Sequence, residues 1–187
     1  MLEKRYYMAC LDLEGESCLV VGGGPVALEK VQGLLECGAR VTVVAPELVE
    51  GLAVLPVEWL ERPYESDDLD GRRLAVVATS DTRLNRRVHA DAAARSLLVN
   101  VADVPELCSF ILPAVHRQGS IAVAVSTGGA SPALAQRLRR EIAAVVRPEH
   151  AALAATLRSL RPWAKRRFPT YEERRDFFQR AVERALP

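Results

Sequence analysis

The sequence predicts an α/β fold, an open parallel sheet wrapped by helices, followed by a shorter segment and a helical tail. Three observations predict it. Short β-branched runs alternate with amphipathic helical stretches up to about Leu112. A glycine-rich turn joins the first run to the first helical stretch. Past Phe110 the texture changes, ending in arginine-, alanine- and leucine-rich helix.

Ser17-Cys-Leu-Val-Val-Gly is a short apolar run ending in glycines, as a buried parallel strand does. A helix is expected from about Val26 to Cys37, because Val26, Ala27, Val31, Leu34 and Leu35 recur at helical spacing. Gly38 closes it as a C-terminal glycine. Arg40-Val-Thr-Val-Val-Ala-Pro is a second strand, stopped by Pro46, and completes a βαβ unit. Val57-Glu-Trp-Leu-Glu is a candidate strand and Leu74-Ala-Val-Val-Ala-Thr a clear one. Thr82 to Arg95 is expected as a helix with Leu84, Val88 and Ala92 on one face. Leu97-Leu-Val-Asn-Val-Ala is the next strand, so the crossovers are right-handed and the sheet parallel. Further on, Ser120-Ile-Ala-Val-Ala-Val-Ser is a strand, Thr127-Gly-Gly-Ala-Ser-Pro a turn, and Ala133 to Val146 a basic helix broken by Pro148. The remainder is helical in period, with interruptions expected at Pro162 and Pro169. The divisions are 1–112, 113–147 and 148–187.

The 187 residues are 49% hydrophobic and 26% charged, the balance of a soluble globular chain. No window approaches the roughly 18 uninterrupted apolar residues of a membrane span. The N-terminus lacks the apolar stretch of a signal peptide, so a cytoplasmic address is expected. Cys10, Cys18, Cys37 and Cys108 form no CxxC pair and are expected to be buried or half-buried apolar residues. Charge is uneven. Residues 1–112 hold 11 Lys/Arg against 18 Asp/Glu, and residues 113–187 hold 14 against 6. The net charges of −7 and +8 point either to an anionic partner for the second part or to mutually attracting surfaces.

Gly22-Gly23-Gly24-Pro25-Val26-Ala27 fits G-x-G-x-x-A between a strand and a helix, the context that makes a Rossmann-like dinucleotide site of it. Glycines let backbone amides approach a pyrophosphate at a helix N-terminus, and Ala27 lets helix and strand pack closely. The acidic residue that usually ends the second strand is replaced by Ala45-Pro46, with Glu47 just beyond. With no arginine there to meet a 2′-phosphate, NAD is favoured over NADP. Thr79 and Ser80 end the next clear strand, where they either border a cofactor or belong to a helix cap. Asp103 ends the last strand and is a candidate proton acceptor, or else a turn residue. Ser126, Thr127, Gly128, Gly129 and Ser131 make a hydroxyl- and glycine-rich turn ahead of Arg137, Arg139 and Arg140. That turn suits carboxylates or phosphates, or is a plain strand-to-helix turn capped by Ser131. The three histidines form no metal motif, and only His116, beside Arg117, is a candidate for a site.

These motifs, with Asn85-Arg-Arg-Val, Ser109-Phe-Ile-Leu-Pro-Ala and Lys165-Arg-Arg-Phe-Pro-Thr-Tyr, occur in the order seen in precorrin-2 dehydrogenases. The whole chain resembles the N-terminal portion of siroheme synthase. The resemblance implies a Rossmann domain, a middle segment through which two subunits interlock as a homodimer, and a small helical C-terminal domain. It implies NAD contacts at Pro25, Val26, Pro46 and Glu47, a catalytic role for Asp103, and a tetrapyrrole-side turn at Ser126–Gly129. Asn100, His116 and Arg117 join that turn as expected substrate contacts. The implied reaction oxidises precorrin-2 to sirohydrochlorin. Members differ in whether they then act as ferrochelatase and insert Fe²⁺, and the residues leave that open. No methyltransferase domain follows, so methylation of uroporphyrinogen is expected elsewhere. A dinucleotide-binding ligand sensor without catalysis is the second reading. It needs neither Asp103 nor the Ser-Thr-Gly-Gly turn. Nucleic acid is disfavoured as a partner, because few aromatics interleave the basic tail.

Overall fold

In the computed structural model, which describes residues 5–186, the chain forms two compact units that divide between Leu112 and Pro113. The first contains β1 (Ser17–Val21), α1 (Pro25–Leu35), β2 (Arg40–Val44), α2 (Glu50–Ala53), β3 (Glu58–Leu60), β4 (Leu74–Val77), α3 (Thr82–Ala94) and β5 (Leu98–Val101). All five strands are parallel, in the order β3-β2-β1-β4-β5. The order reverses between β1 and β4, and that switch point is where open α/β sheets bind ligands.

Alternation along the strands explains why both sheet faces are covered. Cys18 and Val20 point to the layer that holds Ala27, Val31 and Leu34 of α1. Leu19 and Val21 point to the opposite layer, with Val88 and Ala92 of α3. The buried face of α3 is Val88 and Ala92, as expected, with Leu84 half-buried against the same core and Asn85 buried beside it. The loop after β5 returns along it: the Ser109 amide donates to the Val99 carbonyl at 2.9 Å, and the Val99 amide donates to the Ser109 hydroxyl at 2.7 Å.

The second unit opens with an antiparallel hairpin, β6 (Ala114–Gln118) and β7 (Ile121–Val125). Helices α4 (Pro132–Val145) and α5 (Pro148–Arg167) pack against it, and α6 (Tyr171–Ala185) packs on α5. Strand β6 was not expected, because Ala-Val-His-Arg-Gln carries no apolar alternation. The expected interruption at Pro162 is absent, and α5 runs through it. Proline removes one helical amide bond at a cost of about 3 kcal/mol. The neighbouring residues hold the helix across it: Ala164 is fully buried, and Trp163 stacks on Phe168 and Phe177. Cys10 is also a correction, since it lies exposed in an irregular N-terminal segment; Cys18 and Cys108 are buried and Cys37 half-buried. Among the described residues no helix is long and apolar enough to cross a membrane.

Among the described residues of the first unit, one charged group is buried. Asp68 is 7% exposed, and its carboxylate accepts from Arg62 Nη1 at 3.0 Å and Nη2 at 2.6 Å, and from the Glu65 amide at 2.8 Å. Burial pushes this carboxyl up, but the hydrogen bonds from Arg62 and the Glu65 amide outweigh it and hold it below the ordinary value. A depressed native pKa stabilises the fold above the unfolded value of about 4 and loses that contribution as pH falls through the native value. Asp68→Asn should therefore cost about 2 kcal/mol at pH 7. In urea titrations the gap from the wild type should close in acid. An equal gap at pH 7 and pH 3 would contradict this assignment.

Candidate functional site

Strands β1, β2, β4 and β5 end in register, at Val21, Val44, Val77 and Val101. The loops that leave them therefore share one rim, and they bring together Gly22 to Val26, Pro46, Glu47, Thr79, Ser80 and Asp103.

The three glycines do different work. Gly22 has φ +123°, and a methyl group built on it lands on the Ala78 carbonyl. One built on Gly23 lands on the Glu47 carbonyl. The Gly22 amide donates to Val44 at 3.0 Å, and the Val49 amide donates to the Gly23 carbonyl at 2.8 Å. These two glycines are demanded by the chain itself. Gly24 is not. Its φ of −86° and ψ of −173° suit any residue, and a methyl group there meets nothing within 4 Å. The open space lies at the N-terminus of α1, where Gly24 is the N-cap with no side-chain hydrogen bond, Pro25 follows, and the first turn carries no acid. The first amides of a helix have no intrahelical acceptor, and the helix dipole favours an anion there. The site thus fits the pyrophosphate of a dinucleotide. Ala27 is fully buried against the sheet, as the motif requires.

Pro46 and Glu47 are exposed beyond β2, and the Glu47 carboxylate takes no hydrogen bond or ion pair among the described residues. The loop after β4 is locked rather than free. Thr79 donates its hydroxyl to Asn85 Oδ1 at 2.7 Å, Asn85 Nδ2 donates back to the Thr79 carbonyl at 3.1 Å, and Asn85 is 4% exposed. The helix cap is Asp81, which accepts from the Arg83 and Leu84 amides. Thr79 holds the loop's shape, and Ser80 stands exposed beside it. Asn85 was missed in sequence, although a polar residue in phase with Val88 and Ala92 signals a buried polar contact.

Asp103 is exposed and has φ +60°, a left-handed conformation that aspartate tolerates better than most residues. Its carboxylate takes no hydrogen bond or ion pair among the described residues. It lies beyond β5, two strands from Gly22, about 10 Å at ordinary strand spacing. Asn100, an expected substrate contact, lies within the fold. It is 7% exposed, and its amide is turned inward to the Phe110 carbonyl at 3.0 Å, holding the return segment against β5.

In the second unit the hydroxyls expected to face a ligand close their own turn. Thr127 Oγ1 accepts from the Ser131 amide at 3.0 Å and donates to its carbonyl at 3.1 Å, Ser126 accepts from the Gly128 amide, and Ser131 caps α4 through the Leu134 amide. Gly128 and Gly129 are left-handed, with φ of +63° and +90°. What the turn presents outward is backbone. His116 and Arg117 are not brought to it. They pair with Val123 and Ala122, three and four residues back from Ser126, roughly 10 and 13 Å along a strand. The His116 ring is half-buried, with Nε2 3.4 Å from the Val146 carbonyl, a structural placement. Among the described residues no cluster of His, Cys, Asp and Glu could hold a metal ion.

Residues 9–114 match a family model described as putative NAD(P)-binding, and residues 118–144 match one described as sirohaem biosynthesis protein, central. The siroheme synthase of Thioalkalivibrio sulfidiphilus is 44% identical over 182 residues, covering 95% of this chain and 37% of that protein. The siroheme synthase of Methylobacillus flagellatus is 42% identical over 173 residues, covering 90% of this chain and 37% of its own. The chain thus spans less than two-fifths of the length of these relatives. A solved structure of SirC, precorrin-2 dehydrogenase, superposes with a TM-score of 0.73 at 27% identity, covering 95% of this chain and all of that one.

The glycine analysis makes a prediction. Gly24→Asp should fold normally and lose dinucleotide binding, because its side chain fills the open space and repels phosphate. Gly23→Ala should instead lower the thermal midpoint, because it collides with backbone. Calorimetry in which Gly24→Asp binds NAD⁺ like the wild type would sink the assignment.

Proposed function

The chain belongs to the NAD(P)-binding family and, along its length, to the proteins that share the N-terminal portion of siroheme synthase, and from that premise we propose that it oxidises precorrin-2 to sirohydrochlorin with NAD⁺. The observation that carries the reading is a carboxylate with no protein partner, Asp103, on the same sheet rim as the open space at Gly24. Converting precorrin-2 to sirohydrochlorin removes a hydride and a proton, so an acceptor for each must stand on adjacent walls.

NAD⁺, when bound, supplies the hydride acceptor. The amides at the start of α1 hold the pyrophosphate, with Pro25 and Val26 against it. Glu47 accepts hydrogen bonds from ribose hydroxyls, and the lack of a basic residue beside it favours NAD over NADP. The Thr79–Asn85 lock fixes the neighbouring loop, with Thr79 and Ser80 bordering the cofactor. Asp103 Oδ accepts the proton as the hydride leaves. Within the second unit, the outward backbone of the Ser126–Gly129 turn suits the carboxylates of a macrocycle. Fe²⁺ insertion, where it follows, uses the metal as substrate; Asp103 would then take part by accepting pyrrole protons.

Asp103→Asn keeps the shape and removes the basic lone pairs. NAD⁺ should still bind, while sirohydrochlorin formation falls about 10²–10⁴-fold. Absorption spectra of precorrin-2 incubated with and without NAD⁺ read this directly. Near-normal rates would make Asp103 a turn residue. Measuring Fe²⁺ insertion in the same variant tests whether one carboxylate serves both steps.

The hairpin β6–β7 supports a homodimer. A two-stranded sheet is marginal alone, and here its outer backbone edges have no partner strand among the described residues. A symmetric partner that pairs with this segment would satisfy them. Light scattering should report a dimer at micromolar concentration, and a monomer there would overturn it.

A further inference from the structure

The second unit carries a groove that the proposed chemistry leaves unused. It lies between α5 and α6, encloses about 690 Å³, and is lined by Arg161 and Lys165 from α5 and by Tyr171, Arg174, Arg175 and Phe178 from α6, with Glu183 its one acid. That volume is within the ordinary range for a small-molecule site.

Its walls are fixed. Trp163, Phe168, Phe177 and Phe178 stack in series with ring centroids 5.2 to 5.8 Å apart, wedging the two helices together. Arg174 Nη1 donates to the Phe168 and Pro169 carbonyls at 2.8 and 2.7 Å, which pins the turn between the helices. Thr170 and Glu173 cap α6 reciprocally.

Its charge is only partly compensated. Arg175 rests on its neighbour Asp176 at 2.8 Å, but Arg161 and Lys165, one helical turn apart, take no hydrogen bond or ion pair among the described residues. Lys165 sits in the last turn of α5, where the helix dipole favours a cation. Arg174 and Arg175 sit near the start of α6, where it does not. The floor is carbon: Tyr171 is 67% exposed and Val182 38%. Arg161 and Lys165, beside an aromatic and aliphatic floor, match a flat apolar ring edged with carboxylates. A purely apolar ligand would not need the charges, and a simple anion would not need the floor.

We propose that this groove binds the tetrapyrrole itself, as a docking surface built entirely from the second unit. The proposal rests on the function given above, since precorrin-2 and sirohydrochlorin are both macrocycles edged with carboxylates. Such a site retains the ligand on the protein before or after the oxidation step.

The test uses the full chain and uroporphyrin, an air-stable macrocycle with the same kind of carboxylate rim, followed by fluorescence titration at low salt. Arg161→Gln/Lys165→Gln should weaken uroporphyrin binding about ten-fold, and Arg161→Glu/Lys165→Glu more. Far-UV circular dichroism and NAD⁺ binding should be unchanged in both. A short single-stranded oligonucleotide should fail to compete. Binding equal to the wild type in both variants overturns the proposal, and so does displacement by the oligonucleotide, which would mark a general polyanion surface. A wild-type protein that does not oxidise precorrin-2, while both variants lose uroporphyrin, overturns the proposed reaction and supports the groove.

Discussion

The close approach of three backbone segments at Gly22 and Gly23 is the constraint on which the first unit depends. The turn after β1 passes so near the Ala78 and Glu47 carbonyls that neither position has room for a side chain. Hydrogen bonds to Val44 and from Val49 then tie this turn to the exit of β2. The carboxyl ends of β1, β2 and β4 are thereby fixed relative to one another. The start of α1 is aimed across the rim because its first residue has no freedom left. A rigid rim costs the chain two glycines, whose unfolded-state entropy is high. In return it holds open the space at Gly24.

The rest of the rim follows from that fixed centre. Asn85 reaches from the buried face of α3 to hold Thr79, so the β4 loop cannot fold over the turn. Asn100 does the same for the segment after β5, drawing Phe110 back along the strand. Asp103 is left between these anchored segments, in a left-handed turn that few residues with a β-carbon adopt. An exposed carboxylate on a mobile loop would cap or pair with something nearby. Here it is presented without a protein partner among the described residues, which suits the proposed base.

Much of this was legible in sequence because local chemistry and tertiary role coincide. The short apolar, Val-rich runs of β1, β2 and β4 specify buried strands whatever surrounds them, and Ser131-Pro132 specifies a helix start. The glycine turn could be read as a motif. Which glycines serve the fold and which the ligand could not, because that depends on carbonyls distant in the chain. The placement of Asn100 and His116 depends on packing in a related way. Polar side chains look functional in sequence, and only packing shows one turned to Phe110 and the other to Val146. Strand β6 was hidden because it pairs with β7 through its backbone, while its own side chains have no apolar period. Pro162 was read by its local preference, which the aromatic wedge around Trp163 overrides.

The distribution of charge gains a physical reason from these placements. On the proposed function the protein must handle two anions, a pyrophosphate and a polycarboxylate, without confusing them. No lysine or arginine stands among the rim residues Gly22 to Val26, Pro46, Glu47, Thr79, Ser80 and Asp103. Backbone amides and a helix dipole bind an anion only at short range and in one geometry. Side-chain cations act over the Debye length, about 8–10 Å in physiological salt. The first unit, at −7, therefore offers a diffusing polycarboxylate no long-range attraction, yet accepts a pyrophosphate that fits against α1. The second unit, at +8, attracts that same polycarboxylate from solution. Sorting by range explains why the cations are absent from the phosphate site and concentrated beyond Pro113.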